Sequence, residues 1–459
     1  MEQITKPHCG ARLDRLPDCR WHSSMFAIVA FGLLVCWSNA VGGLILAQLK
    51  ALGWTDNSTT ATFSAITTAG MFLGALVGGI IGDKTGRRKA FILYEAIHIA
   101  SMVVGAFSPN MAFLIACRFV MGVGLGALLV TLFAGFTEYM PGRNRGTWSS
   151  RVSFIGNWSY PLCSLIAMGL TPLISAEWNW RVQLLIPAIL SLIATALAWR
   201  YFPESPRWLE SRGRYQEAEK VMRSIEEGVI RQTGKPLPPV VIADDGKAPQ
   251  AVPYSALLTG VLLKRVILGS CVLIAMNVVQ YTLINWLPTI FMTQGINLKD
   301  SIVLNTMSMF GAPFGIFIAM LVMDKIPRKT MGVGLLILIA VLGYIYSLQT
   351  SMLLITLIGF FLITFVYMYV CYASAVYVPE IWPTEAKLRG SGLANAVGRI
   401  SGIAAPYAVA VLLSSYGVTG VFILLGAVSI VVAIAIATIG IETKGVSVES
   451  LSIDAVANK

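Results

Sequence analysis

The sequence contains little charge: Asp, Glu, Lys and Arg make up 12% of its 459 residues, whereas 56% are hydrophobic. A soluble globular domain carries about 25% charged residues, so this composition excludes an ordinary soluble protein. Acids are the scarcer sign, 23 against 34 Lys and Arg. The sequence also has no HExxH, GxSxG or P-loop pattern, and so lacks common signatures of hydrolytic and nucleotide-dependent enzymes. We therefore expect a membrane protein that is not an enzyme.

Cysteine and histidine are also few, with seven and three residues. Five cysteines fall in apolar segments, and the other two lie in a polar N-terminal segment. We expect no disulfide bonds in this protein, because five cysteines lie in spanning segments and a reducing cytoplasm keeps the thiols of the other two free. The four N-terminal candidates His8, Cys9, Cys19 and His22 match no structural zinc spacing. No metal or other cofactor is therefore expected.

Long apolar runs dominate what is present. Segments of about 20 residues, enough to cross a ~30 Å hydrocarbon core at a rise of ~1.5 Å per residue, recur along nearly the whole chain. They lie near 25–48, 61–82, 90–107, 111–136, 150–174, 180–202, 264–291, 302–323, 330–348, 352–378, 390–414 and 417–440. The first is longer than the roughly 7 to 15 apolar residues of a signal peptide, so we expect it to remain. The predicted fold class is an all-α membrane protein with twelve transmembrane helices.

Positive charge is distributed unevenly among the connecting segments. If the N-terminus lies in the cytoplasm, 29 of the 34 Lys and Arg fall on cytoplasmic segments and three on outer loops. The remaining two, Arg118 and Arg399, lie inside apolar segments. This asymmetry is the positive-inside pattern of membrane proteins, and it explains the net charge of +11 without a nucleic-acid partner. We predict that both termini are cytoplasmic and that the lipid bilayer surrounds the chain.

Three charged motifs recur in order in the two halves of the chain. Asp83 in GDKTGRRK returns as Asp324 in MDKIPRKT, Glu138 in EYMPGRNRG as Glu380 in EIWPTEAKLRG, and Glu204 in PESPR as Glu442 in IETKG, at separations of 241, 242 and 238 residues. Such offsets indicate a duplicated unit, and hence two pseudo-symmetric six-helix bundles. The predicted organisation is a cytoplasmic tail at 1–24, a first bundle at 25–202, a cytoplasmic connector with an amphipathic helix at 203–262, a second bundle at 263–440 and a cytoplasmic tail at 441–459.

Together these motifs resemble the major facilitator superfamily, particularly its sugar-porter and organic-ion or metabolite:proton symporter branches, over essentially the whole chain. GDKTGRRK is similar to the superfamily's loop between helices 2 and 3, RFVMGVGLG (118–126) to its helix 4, and PESPRWL and YVPEIWPTEAKLRG to the ends of its helices 6 and 10. We interpret the run MGVGLG as close helix packing through small residues. A dinucleotide fingerprint would need a preceding strand.

The resemblance implies a monomeric, multi-pass transporter of the bacterial inner membrane. It would move a small polar metabolite by alternating access, with protons as the coupled ion. A sugar porter or facilitator for a neutral sugar or polyol is the alternative. A membrane-embedded sensor is an alternative from another class, but the short head and tail leave no room for an output domain.

Charged residues at the cytoplasmic helix ends are candidates for a gate. Ion pairs between the bundles would favour the outward-open state and would separate when the inside opens. The alternative is a set of solvated topology signals, since exposed ion pairs contribute only about 0 to 1 kcal/mol. The candidates are Asp83, Arg87, Glu138, Arg145, Glu204, Arg207, Asp324, Arg328, Glu380, Arg389 and Glu442.

Arg399 is the main candidate for substrate recognition. It follows Arg389 by ten residues, which places it ~15 Å into a ~30 Å core. A buried guanidinium needs an anionic or strongly polar partner, and no acid of the second bundle lies at matching depth. The partner is either a substrate carboxylate or backbone carbonyls. The resemblance favours the first, because an arginine in a similar helix 11 context is associated with anionic substrates in the organic-ion branch.

Other polar and aromatic residues either line the cavity or hold helices together. They are Asn277, Gln280, Tyr281, Asn285 and Trp286 on helix 7, with Asn39, Asn157, Tyr160, Tyr372 and Asn395 elsewhere. By the resemblance, sugar porters carry a glutamine pair in helix 7 where this chain has Ala275 and Met276. The usual contacts to sugar hydroxyls are therefore missing, and we favour an organic acid or sugar acid.

Proton coupling has three candidate residues. The resemblance pairs Arg118 with an aspartate on helix 1 in proton-coupled sugar porters, but helix 1 of this chain has no acid. Glu95 and His98 on helix 3 are the remaining ionisable groups inside apolar segments, where such groups mark ion pathways. The resemblance favours a structural role for both, because helix 3 is peripheral in the family fold.

Overall fold

A computed structural model describes residues 7–17, 19–35, 37–140, 145–240, 253–383 and 386–444, and this described part is helical without a strand. The first half contains α1 (Cys9–Asp14), α2 (Arg20–Val35), α3 (Gly42–Ala51), α4 (Asn57–Thr85), α5 (Arg87–Ala106), α6 (Met111–Tyr139), α7 (Arg145–Asn157), α8 (Ser159–Leu170), α9 (Ala176–Tyr201), α10 (Pro206–Ser211) and α11 (Tyr215–Thr233). The second half contains α12 (Tyr254–Leu257), α13 (Gly260–Thr293), α14 (Leu298–Met309), α15 (Gly311–Val322), α16 (Arg328–Ser347), α17 (Met352–Cys371), a π-helical segment (Tyr372–Tyr377), α18 (Val378–Glu380) and α19 (Lys387–Ile439).

Each of the twelve predicted apolar segments is largely helical. Within the described residues, nine helical segments are long and apolar enough to cross a membrane by length and composition. The two counts differ because helices break or join at places that hydropathy does not show. The predicted segments 25–48 and 150–174 are divided between α2 and α3 and between α7 and α8, whereas segments 390–414 and 417–440 join in α19. Gly417 inside α19 has φ 66° and ψ −160°, a conformation that glycine adopts without strain.

The described residues pack into two compact units. The first is drawn from Met1–Asn39, Gly70–Ser159 and Leu184–Gly246, and the second from Ala40–Ala69, Tyr160–Gln183 and Lys247–Lys459. Segments from the first half of the sequence therefore pack in the second unit. There, a Cβ on Gly43 of α3 would lie within 3.0 Å of the Ile284 carbonyl oxygen of α13, and Asn305 donates a 3.1 Å hydrogen bond to Ser164. These units differ from the predicted six-helix bundles at 25–202 and 263–440. The predicted bundles describe how the chain crosses the membrane, and they stay a prediction.

Small residues allow α4 and α6 to approach closely in the first unit. A Cβ on Gly126 would lie within 3.0 Å of the Met71 carbonyl oxygen, and one on Gly74 within 3.0 Å of the Val123 carbonyl oxygen. Backbone therefore packs directly on backbone at both positions, which maximises dispersion contacts between helices inside a membrane. The structure confirms that the MGVGLG run serves close helix packing.

The connector contains the amphipathic helix that the sequence predicts. Helix α11 buries one apolar face, and a short N-terminal helix, α1, packs against it together with α10. The buried members of this cluster are Cys9, Leu13, Leu16, Trp208, Leu209, Ala218, Met222, Ile225 and Val229. Sequence periodicity predicts α11 but not α1, because six residues are too few to show a helical repeat.

Ion pairs fix α1 on α11. Arg12 donates to Glu219 and, at 2.7 Å, to Glu226, and Glu210 accepts the Cys9 backbone N–H at 2.8 Å. Burial opposes ionisation of Glu226, but hydrogen bonds from Arg12 and Arg15 outweigh it, so the pKa of Glu226 is lowered. Burial and the nearby Glu210 carboxylate raise the pKa of the Cys9 thiol to about 12. Cys9 is therefore a neutral and inaccessible thiol when α1 is docked.

This arrangement predicts that Cys9 reacts slowly with a maleimide from pH 7 to 9, since its raised pKa leaves almost no thiolate in that range. Arg12→Ala should release α1 and accelerate Cys9 alkylation at least tenfold. The reaction is measured by mass spectrometry on a variant that keeps Cys9 alone. The matched control is Arg223→Ala, because Arg223 also pairs with Glu219 but has a 70% exposed side chain. Equal rates in the two variants would contradict the docking.

Candidate functional site

The first repeated motif forms a closed cluster of charges in the first unit. Arg87 pairs with Asp83 at 2.6 Å and with Glu138 at 2.9 Å. Glu204 accepts the Arg87 backbone N–H at 2.7 Å, so its carboxylate caps the N-terminus of α5, where the helix dipole favours a negative charge. Gly86 makes this approach possible, since its φ is 99° and a Cβ there would lie within 3.0 Å of the carboxylate.

The second motif repeats this geometry in the second unit. Arg328 pairs with Asp324 at 3.1 Å and with Glu380 at 3.1 Å. Glu442 accepts the backbone N–H groups of Arg328 at 2.7 Å and Lys329 at 3.1 Å, and so caps α16. Burial opposes ionisation of Glu442, but these backbone hydrogen bonds outweigh it and lower its pKa. The offsets in the sequence therefore correspond to two matching sets of contacts.

Three further gate candidates have other surroundings. Arg207 pairs with Asp14 of the N-terminal segment at 2.9 Å, and the Arg389 guanidinium lies 5.2 Å from the centre of the Tyr254 ring. The side chain of Arg145 lies outside the described residues. The motif charges described above pair within their own units, and ion pairs between the predicted bundles stay a prediction.

Arg399 lies on α19, which packs along α13 in the second unit. A Cβ on Gly398 would lie 3.0 Å from the amide nitrogen of Asn277, and one on Gly402 would lie 3.1 Å from the Tyr281 ring. Asn277 and Tyr281 therefore lie against the turn of α19 that carries the arginine. Among the described residues, Nη1 of Arg399 is buried and has no hydrogen-bond partner.

A group of tyrosines lies beside this part of α13. The rings of Tyr160 and Tyr367 are 5.4 Å apart at 64°, and Gln280 and Tyr281 are close enough to interact with the Tyr367 hydroxyl. The structure thus brings together three of the predicted residues. The sequence analysis missed Tyr367, because it lies in the apolar run FLITFVYMYV; the signal available was the cluster of tyrosines that begins there.

Two predicted residues lie elsewhere in the second unit. Trp286 packs in an apolar cluster with Val409 and Leu413, ten residues or more from Arg399 and hence ~15 Å or more along α19. Tyr372 stacks on Tyr377, with ring centres 5.0 Å apart, and interacts with the charges of Arg328 and Glu442 in the second motif. Trp286 therefore lies in an apolar cluster and Tyr372 lies beside the second charged motif.

Four asparagines were also predicted to line the cavity, and two of them bond to the backbone of their own helix. Asn157 donates to the Ser153 carbonyl at 2.7 Å and Asn395 to the Ser391 carbonyl at 2.9 Å, each within its own helix. Asn285 is buried on α13, and Asn39 is half-buried in the irregular segment between α2 and α3. Their roles as substrate ligands stay predictions.

The coupling candidates form a buried polar chain in the first unit. Arg118 donates through Nη1 to the Ser38 carbonyl at 2.7 Å. The Ser38 hydroxyl lies 2.7 Å from Nε2 of His98, and Nδ1 of His98 lies 3.5 Å from the Glu95 carboxylate. Ser38, His98 and Glu95 are fully buried. The sequence analysis did not include Ser38, because a serine cannot carry a charge and only the folded chain shows what it connects.

The irregular segment 37–41 explains why Arg118 is needed there. This segment lies between α2 and α3 and forms turns rather than a helix. Irregular backbone at membrane depth is tolerated only where other groups satisfy its carbonyls. The Arg118 guanidinium supplies such a donor to Ser38.

Comparison with known proteins decides the family. The model of the Major Facilitator Superfamily matches residues 25–406. The chain belongs to this superfamily. It is 99% identical over 459 residues to the "Putative metabolite transport protein YdjK" of Escherichia coli K12, with 100% of each chain covered. It is 44% identical over 455 residues to the inner membrane metabolite transport protein YdjE of the same organism, which covers 98% of this chain and 99% of that protein.

The fold is also similar to that of a solved superfamily member. The inward-open structure of the xylose transporter XylE from E. coli matches with a TM-score of 0.75 over 94% of this chain and 99% of that one, at 16% identity. The protein described here is therefore a multi-pass metabolite transporter of the inner membrane and not an enzyme. This confirms the family, the all-helical membrane fold and the transport function that the sequence predicts.

Proposed function

We propose that this transporter carries a small organic acid or sugar acid by alternating access, in symport with protons. The observation that carries the proposal is Arg399, whose Nη1 is buried and, among the described residues, has no hydrogen-bond partner. A buried donor without a partner is unfavourable by about 1 to 3 kcal/mol, and more for a charged group. A substrate carboxylate removes this penalty and also pairs the charge, since the guanidinium fork matches a carboxylate.

The neighbours of Arg399 suit the rest of such a substrate. Asn277, Gln280 and Tyr281 offer amide and hydroxyl groups on the same stretch of α13, and Tyr160 adds an aromatic face. A binding site that combines one charged group with a few polar groups and aromatic rings is typical for a small polar metabolite. These residues would orient hydroxyl groups while Arg399 binds the carboxylate.

The topology that accompanies this proposal has twelve spans and cytoplasmic termini in a monomer surrounded by lipid. The excess of Lys and Arg on one set of connecting segments supports the orientation. Twelve spans would result if α2 with α3 and α7 with α8 each formed one span and α19 formed two that meet at Gly417. The matched motif clusters around Arg87 and Arg328 would brace the helix ends that move in the transport cycle.

A neutral sugar is the second candidate, and the fold similarity to a xylose transporter favours it. That similarity, at 16% identity, shows the fold alone. A neutral sugar could accept hydrogen bonds from Arg399 but could not pair its charge. The helix 7 glutamine pair that the family resemblance assigns to sugar porters is also replaced here by Ala275 and Met276.

The proposal is tested by substitution of Arg399. In proteoliposomes, Arg399→Ala should weaken inhibition of uptake by D-gluconate and nicotinate about 10- to 100-fold, as expected for loss of a charged hydrogen bond. Inhibition by D-xylose should be unchanged. Arg399→Lys should retain part of the carboxylate preference, because it keeps the charge but not the fork. An equal loss for acids and neutral sugars would contradict a role in anion recognition.

A further inference from the structure

The buried chain from Arg118 to Glu95 has the geometry of a proton site. We infer that His98 and Glu95 together bind the transported proton and that Ser38 connects them to Arg118. This inference rests on the proposed proton symport and names the groups that perform it. In this arrangement the hydroxyl group of Ser38, in the irregular segment 37–41, changes its hydrogen bond when His98 is protonated.

Burial makes the pair of Glu95 and His98 an unusual structural element. Both side chains are fully buried, with 3.5 Å between Oε2 of Glu95 and Nδ1 of His98. An ionised carboxylate inside a membrane is strongly unfavourable unless it is paired. Three charged or titratable side chains take part in the contacts around Ser38: Glu95 and His98 on α5, and Arg118 on α6.

Backbone packing fixes the position of the imidazole. A Cβ on Gly124 of α6 would lie 2.9 Å from the backbone nitrogen of His98, so α5 lies directly against α6 at this residue. The ring is therefore held between Ser38 on one side and Glu95 on the other. A site built on rigid helices with close contacts holds its geometry more tightly than a site on loops.

The tautomer of His98 follows from its two neighbours. A carboxylate beside Nδ1 favours a hydrogen on that nitrogen, so Nε2 of the neutral ring accepts a hydrogen bond from the Ser38 hydroxyl. Proton binding adds a hydrogen to Nε2 and makes both ring nitrogens donors. The Ser38 hydroxyl must then rotate from donor to acceptor, while the charge of the His98–Glu95 pair changes from −1 to 0.

Ser38 lies in the irregular segment 37–41 between α2 and α3, so the change in its hydrogen bond takes place in that segment. The Ser38 carbonyl accepts from Arg118, so the hydroxyl and the carbonyl of one residue contact the two charged partners. Without the proton, the His98–Glu95 pair carries one negative charge on the side of Ser38 opposite its contact with Arg118; proton binding removes that charge. Protonation therefore changes the electrostatic environment of Ser38.

Infrared spectroscopy of the purified full-length protein tests proton binding without a substrate. The difference spectrum between acidic and alkaline pH should contain an imidazolium ring band that is absent in His98→Gln. Ser38→Ala and Glu95→Gln should keep that band but move its titration midpoint by about one pH unit, the size expected for loss of one hydrogen bond. The matched control is Asp300→Asn, because Asp300 lies in the first turn of α14, away from these residues.

The inference is overturned if the band persists in His98→Gln, or if Ser38→Ala and Glu95→Gln both leave its midpoint unchanged. Because Ser38→Ala retains the carbonyl that binds Arg118, this variant stays informative even if His98→Gln fails to fold. A shift confined to Glu95→Gln would also overturn the role of Ser38.

A flux measurement then separates this inference from the proposed function. Proteoliposomes that contain a pH dye and an imposed D-gluconate gradient report protons moved per gluconate. We expect about one proton per gluconate for the unmodified protein and for Asp300→Asn, and loss of the proton flux in His98→Gln. If the unmodified protein moves neither species, the proposed function fails. If His98→Gln keeps the same ratio, the proton site fails while the proposed function stands.

Discussion

Replacing Gly126 by valine is expected to prevent assembly of a stable membrane protein. The Cβ alone would lie within 3.0 Å of the Met71 carbonyl oxygen of α4, and the β-branched methyl groups would add further overlap. Because the obstacle is backbone on a straight helix and not the end of a flexible side chain, relief requires α4 and α6 to separate. We expect a loss of more than about 3 kcal/mol, measured by thermal unfolding in detergent.

The matched control for this substitution is Gly79→Ala. Gly79 lies on α4 in the same glycine-rich stretch, but no atom lies within 4 Å of the Cβ position. Since alanine favours helix over glycine by about 1 kcal/mol, this variant should be as stable as the parent or slightly more so. A Gly126→Val protein that unfolds at the temperature of Gly79→Ala would contradict the close packing of α4 on α6.

Arg328→Ala is expected to cause the second large loss. Its side chain is 7% exposed and pairs with two carboxylates, and its removal leaves Glu380 partly buried without its guanidinium partner. Breaking a buried ion pair by removing one partner costs about 3 to 5 kcal/mol, and the partial exposure of Glu380 reduces this to about 2 to 3 kcal/mol. The loss is measured by unfolding in detergent and should be accompanied by reduced transport.

Two comparisons make this expectation specific. Lys325→Ala removes a neighbouring exposed cation, and should change stability by less than about 0.5 kcal/mol. Arg87→Ala removes the equivalent arginine of the first unit, whose side chain is 16% exposed, and should cost somewhat less than Arg328→Ala. The matched clusters would be contradicted if Lys325→Ala were as harmful as Arg328→Ala.

Much of the fold could be predicted from periodicity and from the repeat. The offsets of about 240 residues between acidic motifs correspond to two clusters built in the same way around Arg87 and Arg328. The reason is that a duplicated unit keeps all three motifs at one offset, so their contacts are repeated although Glu138 and Glu204 lie 51 and 117 residues after Arg87. Hydropathy likewise located the apolar helices, because burial in lipid acts on every residue of a span.

The breaks and the docked N-terminal helix could not be predicted, because they depend on distant contacts. The turn at 37–41 is stable since Arg118, 80 residues later, satisfies a carbonyl within it. Helix α1 is stable since Glu219 and Glu226 lie opposite Arg12. No local pattern of residues reports either interaction.

The candidate site was predicted in part. Arg399 emerged from a depth argument, since ten residues of helix set its distance from Arg389. Tyr367 and Ser38 were not predicted, because only their contacts in the folded protein indicate a role. Trp286 was an aromatic candidate on helix 7; the structure places its ring in an apolar cluster, and its role as a substrate ligand stays a prediction.

The most direct test of the account measures exchange by the unmodified protein in proteoliposomes. Vesicles loaded with D-gluconate, nicotinate, D-xylose or myo-inositol are diluted into a trace of the same labelled compound, and its transient accumulation is followed. The account predicts accumulation of at least one of the two acids at several times the rate of either neutral compound. Accumulation of the neutral compounds alone would contradict recognition of an anion by Arg399, and with it the central claim.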